Sequence, residues 1–287
     1  MNNRLTVLAP AKLNLTLEVL GKRPDGFHEV RGVIQAINLC DRLTFRLSRE
    51  VAIKSNLPDW TAEDSLVSRV AGLLQETAGC STGAAIEVDK RIPLLSGLGG
   101  DSSDAAATLS GLNKLWELGL SRERLLELAA QLGSDVAFFV YGGTALAEGR
   151  GEAVTPLPPL PRMWVVVVVP DVPRRPGKTK RMYASLNASH YTDGQITQRL
   201  VKALRGGGEL TPSLLFNTFE NVAFAEPELK LYRDHLVKLG ADNVHLAGSG
   251  PALYSLARDR APAEDLYNLC KQQGMEAYLV ETVNVAV

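Results

Sequence analysis

Cysteine is scarce in this chain, and the three that occur are widely separated. Cys40, Cys80 and Cys270 form no CxxC pair, and no histidine lies at metal-ligand spacing from any of them. Disulfide frameworks and structural zinc sites need clustered or regularly spaced cysteines. The sequence therefore predicts reduced thiols within a protein core, and it disfavours a cysteine-based metal centre or redox motif.

The chain also lacks a strong net charge and any long apolar run. It has 31 Lys and Arg residues against 32 Asp and Glu residues, so no global field recruits nucleic acid or an anionic membrane. The longest apolar stretch, Trp164 to Val169, is far too short to cross a bilayer, and the first residues lack the apolar core of a signal peptide. We therefore expect a cytoplasmic protein that binds neither nucleic acid nor membrane, and an anionic ligand must meet a local site.

The remaining composition is that of an ordinary globular protein. Hydrophobic residues make up 45% of the 287 residues, and at about 150 residues per domain this length corresponds to roughly two domains. The proline-rich segment 156–161 cannot continue a helix or a central strand. We therefore place a boundary there, with an N-terminal domain over residues 1–157 and a C-terminal domain over residues 158–287.

Hydrophobic periodicity predicts an α+β fold. Runs rich in β-prone residues predict strands over 5–9, 14–20, 32–37, 42–47, 51–55, 84–88 and 163–169. Apolar residues at helical spacing predict helices over about 65–77, 103–115, 121–132, 179–186, 193–204, 227–239 and 262–273. In the second half, this order predicts helices packed on an antiparallel sheet.

A glycine-rich loop precedes the helix predicted over 103–115. Gly97, Gly99 and Gly100 permit tight turns and a close approach of the backbone to a ligand. Ser102 and Ser103 can cap the helix, whose free N–H groups and macrodipole favour phosphate. Spacing alone leaves open a plain helix cap after a flexible turn. The loop is neither a Walker A loop nor a GxGxxG dinucleotide turn.

The run Gly97 to Ala107, GLGGDSSDAAA, resembles the phosphate loop of the GHMP kinases, the superfamily of galactokinase, homoserine kinase and mevalonate kinase. Two further blocks lie where this superfamily places its other motifs, namely Pro10 to Leu15 and Leu246 to Ala252. With three blocks in order, the resemblance covers the whole chain. It implies the two-domain GHMP kinase fold, with a strand-rich N-terminal domain and an α/β sandwich C-terminal domain, and it implies ATP and Mg²⁺ as cofactors.

Three segments resemble one branch of this superfamily more closely, the 4-diphosphocytidyl-2-C-methyl-D-erythritol kinases. They are Lys12 to Leu15, Gly21 to His28 and Gly133 to Val136. The resemblance implies transfer of the ATP γ-phosphoryl group to the 2-hydroxyl of 4-diphosphocytidyl-2-C-methyl-D-erythritol, a step of non-mevalonate isoprenoid synthesis. The partners would be these two small molecules, bound by a monomer or a homodimer. Another GHMP kinase, of the homoserine or mevalonate type, and a non-catalytic nucleotide-binding protein stay open as alternatives.

Lys12 and Asp135 are the candidate catalytic pair. Phosphoryl transfer needs positioning, charge stabilisation and a group that accepts the proton of the attacking hydroxyl, and the resemblance implies that Asp135 is this base. Local sequence alone favours Asp135 as a helix cap. An unpaired ammonium in an apolar strand is costly, so Lys12 needs a carboxylate or a bound anion unless it snorkels from a strand edge. The resemblance implies that Lys12 lies beside Asp135, keeps it ionised and orients the substrate hydroxyl.

The resemblance also assigns aromatic residues to the phosphoryl acceptor. Phe27 and His28 lie where the family holds the cytosine ring, with Phe in place of the usual Tyr. A phenyl ring stacks as a phenol does, so the stacking survives while any hydroxyl contact is lost. Tyr183 lies where the family supplies an aromatic to the other face of the cytosine. Packing on the core is the alternative, and it is stronger for Tyr183 than for Phe27.

Four polar or turn residues complete the predicted acceptor site. Asn14 and Thr179 would form hydrogen bonds with the methylerythritol or its diphosphate. Gly248 and Ser249 belong to the third motif, a turn that approaches the phosphate loop and the substrate.

Candidate ATP contacts lie in and just before the phosphate loop: Lys90, Pro93, Ser96, Gly97, Leu98, Gly99, Gly100, Ser102 and Ser103. Lys90 is placed to contact the nucleotide, although Lys90 and Arg91 also fit a solvated pair. Asp101 departs from the family pattern, because a carboxylate beside ATP phosphates is repulsive unless it turns outward or helps to hold Mg²⁺. Ser102 and Ser103 are therefore the better candidates for phosphate and metal contacts.

Overall fold

The computed structural model describes residues 4–58, 60–63, 65–174 and 176–285. Within these ranges the strands are β1 (Leu5–Lys22), β2 (His28–Ser48), β3 (Ala52–Ser55), β4 (Gly83–Asp89), β5 (Thr144–Gly149), β6 (Ala153–Pro156), β7 (Trp164–Val169), β8 (Phe216–Asn217), β9 (His245–Leu246), β10 (Leu253–Ala257) and β11 (Glu276–Glu281). The α-helices are α1 (Leu66–Ala78), α2 (Gly100–Leu115), α3 (Arg122–Leu132), α4 (Val136–Tyr141), α5 (Lys178–Ala184), α6 (Gln195–Arg205), α7 (Glu220–Ala223), α8 (Pro227–Lys238) and α9 (Arg260–Gln272). The α+β prediction is confirmed.

The first sheet has the order β3-β4-β2-β1-β8, with β5 pairing β2 and β6 pairing β5. The four short strands predicted over residues 5–47 are two long antiparallel strands, β1 and β2. The ladder shifts register between Pro10 and Ala11. Such a bulge accommodates a proline, which has no N–H for the ladder. The strand therefore passes the proline without ending and carries Lys12 and Asn14 into the interior.

Helix α2 begins earlier than its serines predict. Gly99, in the left-handed region at φ 78°, is the N-cap residue, and no side chain caps the helix. The prediction that Ser102 or Ser103 caps this helix is therefore wrong, because the backbone has already entered the helix at Gly100. Gly99 meets the geometric need of the turn, since a residue with a Cβ rarely adopts this conformation.

The second sheet is antiparallel, with the order β11-β7-β10-β9. The hydrophobic residues of β7 are buried on both faces, which explains its unbroken apolar sequence. The short strand β8 follows β7 in the chain but pairs in parallel with β1 of the first sheet. The division of the chain at residue 157 stays a prediction.

Three clusters of buried side chains form the core. One lies between the first sheet and helices α1 to α4, a second joins β1 and β2 to β7 and β10, and a third packs the second sheet against the C-terminal helices. The second cluster connects the two sheets and includes Leu98 of the phosphate loop. In the described ranges, no helix is both long and apolar enough to cross a lipid bilayer.

Candidate active site

A cavity of about 1000 Å³ opens where the three motif blocks meet. Its wall is formed by β1, the turn after β1, the phosphate loop, the segment before α4, helix α5 and the turn between β9 and β10. The predicted site residues in this wall are Lys12, Asn14, Phe27, His28, Lys90, Pro93, Ser96, Gly97, Gly99, Gly100, Ser102, Asp135, Thr179, Tyr183, Gly248 and Ser249. Leu98 and Ser103 are fully buried and are not among the residues found in the wall.

The structure brings Lys12 and Asp135 together. The Lys12 Nζ lies 3.6 Å from Asp135 Oδ2, with side-chain exposures of 6% and 38%, and it donates a hydrogen bond of 2.6 Å to Asn14 Oδ1. Lys12 does not snorkel, because its ammonium is buried among these partners. A buried cation next to a partly exposed carboxylate can hold a substrate hydroxyl between them.

Asp135 occupies the N-cap position of α4, but its side chain makes no capping hydrogen bond there. Its carboxylate instead faces the cavity and Lys12. Tyr183 lies in the same cavity wall, where burial first and then the charge of Asp135 raise the pKa of its phenol. The capping role that local sequence favours is therefore wrong for this side chain, and the carboxylate is available for chemistry.

The phosphate loop packs directly on the turn between β9 and β10. A Cβ on Gly97, which has φ +89°, would lie 2.1 Å from the carbonyl oxygen of Ala247. The Ser96 carbonyl accepts a hydrogen bond from the Ala252 N–H, and the Leu98 carbonyl accepts one from the Lys12 N–H. The loop is thus bound on one side to the third motif and on the other to the strand that carries Lys12.

Asn217 holds the third motif in place. Its side-chain amide donates to the carbonyl oxygens of Leu246 and Gly248, at 2.9 and 2.8 Å, and is almost completely buried. Gly248 has φ +55°, and a Cβ there would lie 3.1 Å from Lys12 Nζ. Beside it, the Ser249 hydroxyl lies 2.9 Å from that of Thr179. The turn therefore approaches Lys12 closely while the Ser249 hydroxyl lies at the cavity.

Lys90 is buried in an ion cluster rather than solvated. Its Nζ lies 2.6 Å from Asp41 Oδ2 and 2.7 Å from Asp104 Oδ2, and its side chain is only 1% exposed. Asp101, which is 58% exposed, lies 3.6 Å from the same nitrogen. The reading of Lys90 and Arg91 as a solvated pair is wrong for Lys90, whereas Arg91 is exposed and pairs with Asp89.

Aromatic rings line the far part of the cavity. His28 stacks on Tyr183 with ring centroids 4.9 Å apart, and Tyr183 packs edge-on against the buried Phe219. Phe27 is 55% exposed, with the Arg150 guanidinium 4.9 Å from its ring centroid. Tyr183 thus packs on the core, as its alternative reading predicts, and also forms part of the cavity wall. An open Phe27 ring beside this stack suits a flat, uncharged ligand.

Arg150, in the cavity wall, and Asn217, which supports the third motif, were missed at the sequence level. Arg150 lies between Gly149, the last residue of β5, and Gly151, and its position over Phe27 depends on a chain reversal that local sequence does not reveal. Asn217 lies far from each motif along the chain. The local signal for Asn217 is that it is a polar residue within an apolar segment, where a buried amide needs hydrogen-bond partners.

Metal ligands are sparse around the cavity. Across the described ranges, no group of three or more His, Cys, Asp or Glu side chains could hold a metal ion. Ser102 lies in the cavity wall, whereas the buried Ser103 hydroxyl has no hydrogen-bond partner among the described residues. Mg²⁺ normally keeps several waters and binds through nucleotide phosphates plus one or two protein groups, so the residues present fit an ion that arrives with ATP.

Comparison with known proteins agrees with this geometry. Residues 65–143 match the family model for the GHMP kinases N terminal domain. A 4-diphosphocytidyl-2-C-methyl-D-erythritol kinase of Dehalococcoides mccartyi is 52% identical over 281 residues, which are 97% of this chain and 98% of the relative. The kinase of the same name from Geobacillus kaustophilus is 41% identical over 92% of each chain.

Solved structures give the same result at the level of the fold. A crystal structure of 4-(cytidine 5'-diphospho)-2C-methyl-D-erythritol kinase superposes with a TM-score of 0.82 and 33% identity, covering 97% of this chain and 99% of that one. A homoserine kinase from Cytophaga hutchinsonii superposes with a TM-score of 0.76 at 21% identity, covering 99% of this chain and 96% of that one. The second likeness shows a shared fold alone.

Proposed function

This chain belongs to the 4-diphosphocytidyl-2-C-methyl-D-erythritol kinase family of the GHMP kinases, and we propose that it transfers the γ-phosphoryl group of ATP to the 2-hydroxyl of 4-diphosphocytidyl-2-C-methyl-D-erythritol. This reaction is a step of non-mevalonate isoprenoid precursor synthesis. The observation that carries the proposal is the Lys12 and Asp135 pair at a separation of 3.6 Å, set in the cavity wall beside the phosphate loop.

In the proposed reaction, Asp135 accepts the proton of the attacking hydroxyl. Its partial exposure lets it reach a bound alcohol, and its Oδ2 lies 3.6 Å from the ammonium of Lys12. Asn14 accepts a hydrogen bond from Lys12 and so orients the ammonium. Lys12 then has a further donor free to direct the substrate hydroxyl.

The triphosphate of ATP would lie along the phosphate loop. Gly97, Gly99 and Gly100 leave the backbone bare at the cavity surface, and the start of α2 presents free N–H groups to an anion. Ser96 and Ser102 add side-chain or backbone groups to the same surface. Mg²⁺, bound with ATP, would neutralise charge on the phosphates, and Ser102 is the wall residue that supports such a role.

The cytidine part of the acceptor would lie against the aromatic wall. Phe27 offers an open ring face, and His28 and Tyr183 form a stacked pair nearby. Thr179 and Ser249 provide hydroxyl groups in the same cavity wall. Homoserine and mevalonate have no base to stack, so this wall favours the cytidyl substrate over the acceptors of other GHMP kinases.

The proposal predicts that Asp135→Asn removes phosphoryl transfer and retains ATP binding. The amide has a similar shape but cannot take the proton, so turnover should fall by about 10² to 10⁴-fold, while the ATP dissociation constant should stay within about threefold. A coupled ADP-release assay measures the first and titration calorimetry the second. Asp265→Asn, an exposed change on α9 outside the cavity, serves as the control. Turnover retained in Asp135→Asn would remove Asp135 from the mechanism.

A further inference from the structure

Lys90 lies at the meeting point of three segments that frame the phosphate loop. Asp41 comes from β2, Lys90 follows β4 directly, and Asp104 lies near the start of α2. Both carboxylates are at hydrogen-bond distance from the same ammonium, and all three side chains are at most 1% exposed. A buried charge held this way is costly to displace, since either carboxylate would be left without its counter-ion.

The cluster fixes both ends of the loop. At the entrance, Asp41 Oδ1 accepts hydrogen bonds from the Arg91 and Ile92 N–H groups at 2.5 and 2.7 Å. At the exit, Lys90 Nζ binds Asp104 on α2, and a Cβ on Gly100 would lie 3.3 Å from that nitrogen. The backbone that enters the loop and the helix that leaves it are therefore joined through one ammonium.

The cluster has more acidic groups than basic ones, and burial, which outweighs the charge of Lys90, raises the pKa of Asp104. One ammonium faces two buried carboxylates, and the exposed Asp101 adds a third at 3.6 Å. This leaves Lys90 as the group that offsets negative charge directly behind a loop suited to an anion. Removing the ammonium would expose the phosphates of a nucleotide to that charge across a short, poorly screened distance.

We propose that Lys90 is a positioning residue, which joins the two ends of the phosphate loop through Asp41 and Asp104 and neutralises these carboxylates for the incoming triphosphate. It acts through the loop and does not bind the nucleotide by direct contact. This proposal rests on the assignment of the loop to ATP in the proposed function, but it does not depend on which alcohol accepts the phosphoryl group.

The test measures the ATP dissociation constant by titration calorimetry for three variants. Lys90→Met should weaken ATP binding by at least about tenfold, because the link between the two ends of the loop is broken and the remaining negative charge repels the triphosphate. Lys90→Met combined with Asp104→Asn should bind ATP at least about threefold more tightly than Lys90→Met, because a second buried acidic group is removed while Asp41 keeps its two backbone N–H donors, although the link to α2 stays broken. Arg91→Met removes a neighbouring exposed cation outside the cavity wall and should leave ATP affinity unchanged.

The double variant decides between the two roles of Lys90. A direct contact between Lys90 and ATP predicts that the double variant binds ATP as weakly as Lys90→Met, because both lack the cation, and this result would overturn the proposal. If Lys90→Met does not fold, Lys90→Gln replaces it, both alone and combined with Asp104→Asn. ATP binding is measured without an acceptor, so a failure of the proposed acceptor would leave this test intact.

Discussion

His28 shows how one side chain links burial to substrate binding. Burial first, and the nearby charge of Lys22 second, lower the pKa of His28 below its ordinary value. The neutral ring, which stacks on Tyr183, is therefore favoured at neutral pH. A base that closes over this ring would disfavour its charged form further.

This state of His28 predicts a pH dependence of the Michaelis constant for the cytidyl substrate. The constant should be flat at neutral and weakly alkaline pH and should rise only as pH falls below the ordinary histidine value of about 6.5. In His28→Asn, whose side chain does not titrate in this range, the rise of the Michaelis constant at acid pH should disappear. Initial rates at saturating ATP provide the measurement, and an identical acid limb in the variant would exclude His28 as its source.

Single residues also show what the sequence does and does not reveal. The resemblance implies that Lys12 and Asp135 lie together, and the structure brings them within 3.6 Å. The partners of Lys90 were not foreseen, because Asp104 is 14 positions away and Asp41 lies on a separate strand. The local sequence shows only that Lys90 precedes another cation, Arg91. Tertiary packing decides whether the Lys90 ammonium is solvated or buried against carboxylates.

At the scale of elements, the phosphate loop depends on its contact with the third motif. Gly97→Ala would place a Cβ 2.1 Å from the Ala247 carbonyl oxygen, so one of the two segments must move. We expect ATP affinity to fall by at least about tenfold and the free energy of unfolding to fall by about 1–3 kcal/mol. Titration calorimetry and urea unfolding measure the two effects.

Gly119→Ala is the matched control for this change. Gly119 also has a positive φ, at +64°, but a Cβ there meets nothing within 4 Å. It should therefore show the conformational cost of about 1–2 kcal/mol without loss of ATP affinity. Equal ATP affinity for Gly97→Ala and the native protein would contradict the idea that this contact shapes the loop.

Element boundaries were predictable where local chemistry sets them. Helix α3 begins after Ser121, whose hydroxyl accepts from the Arg124 N–H as a cap should. The start of α2 was missed, because Gly99 caps it with its backbone conformation rather than with a side chain. Strands β1 and β2 were predicted in pieces, since a bulge lets one strand continue where turn signals indicate an end.

At the scale of the whole molecule, the cavity exists because the two sheets share contacts. Strand β8 pairs with β1 although it belongs to the second half of the chain. The Tyr254 hydroxyl, on β10, donates a hydrogen bond of 2.7 Å to the Asn14 carbonyl oxygen on β1. These links hold the strand of Lys12 against the third motif. Motif order along the chain indicates the family, but only the fold shows this junction.

The most direct test of the central claim is the stoichiometry of phosphoryl transfer by the purified native protein. With ATP, Mg²⁺ and 4-diphosphocytidyl-2-C-methyl-D-erythritol, the account predicts one ADP released per phosphorylated product, with the new phosphate on the 2-hydroxyl by ³¹P NMR. Homoserine and mevalonate, offered separately, should give no release above the rate without acceptor. Release with either of these acceptors, and none with the cytidyl substrate, would contradict the account.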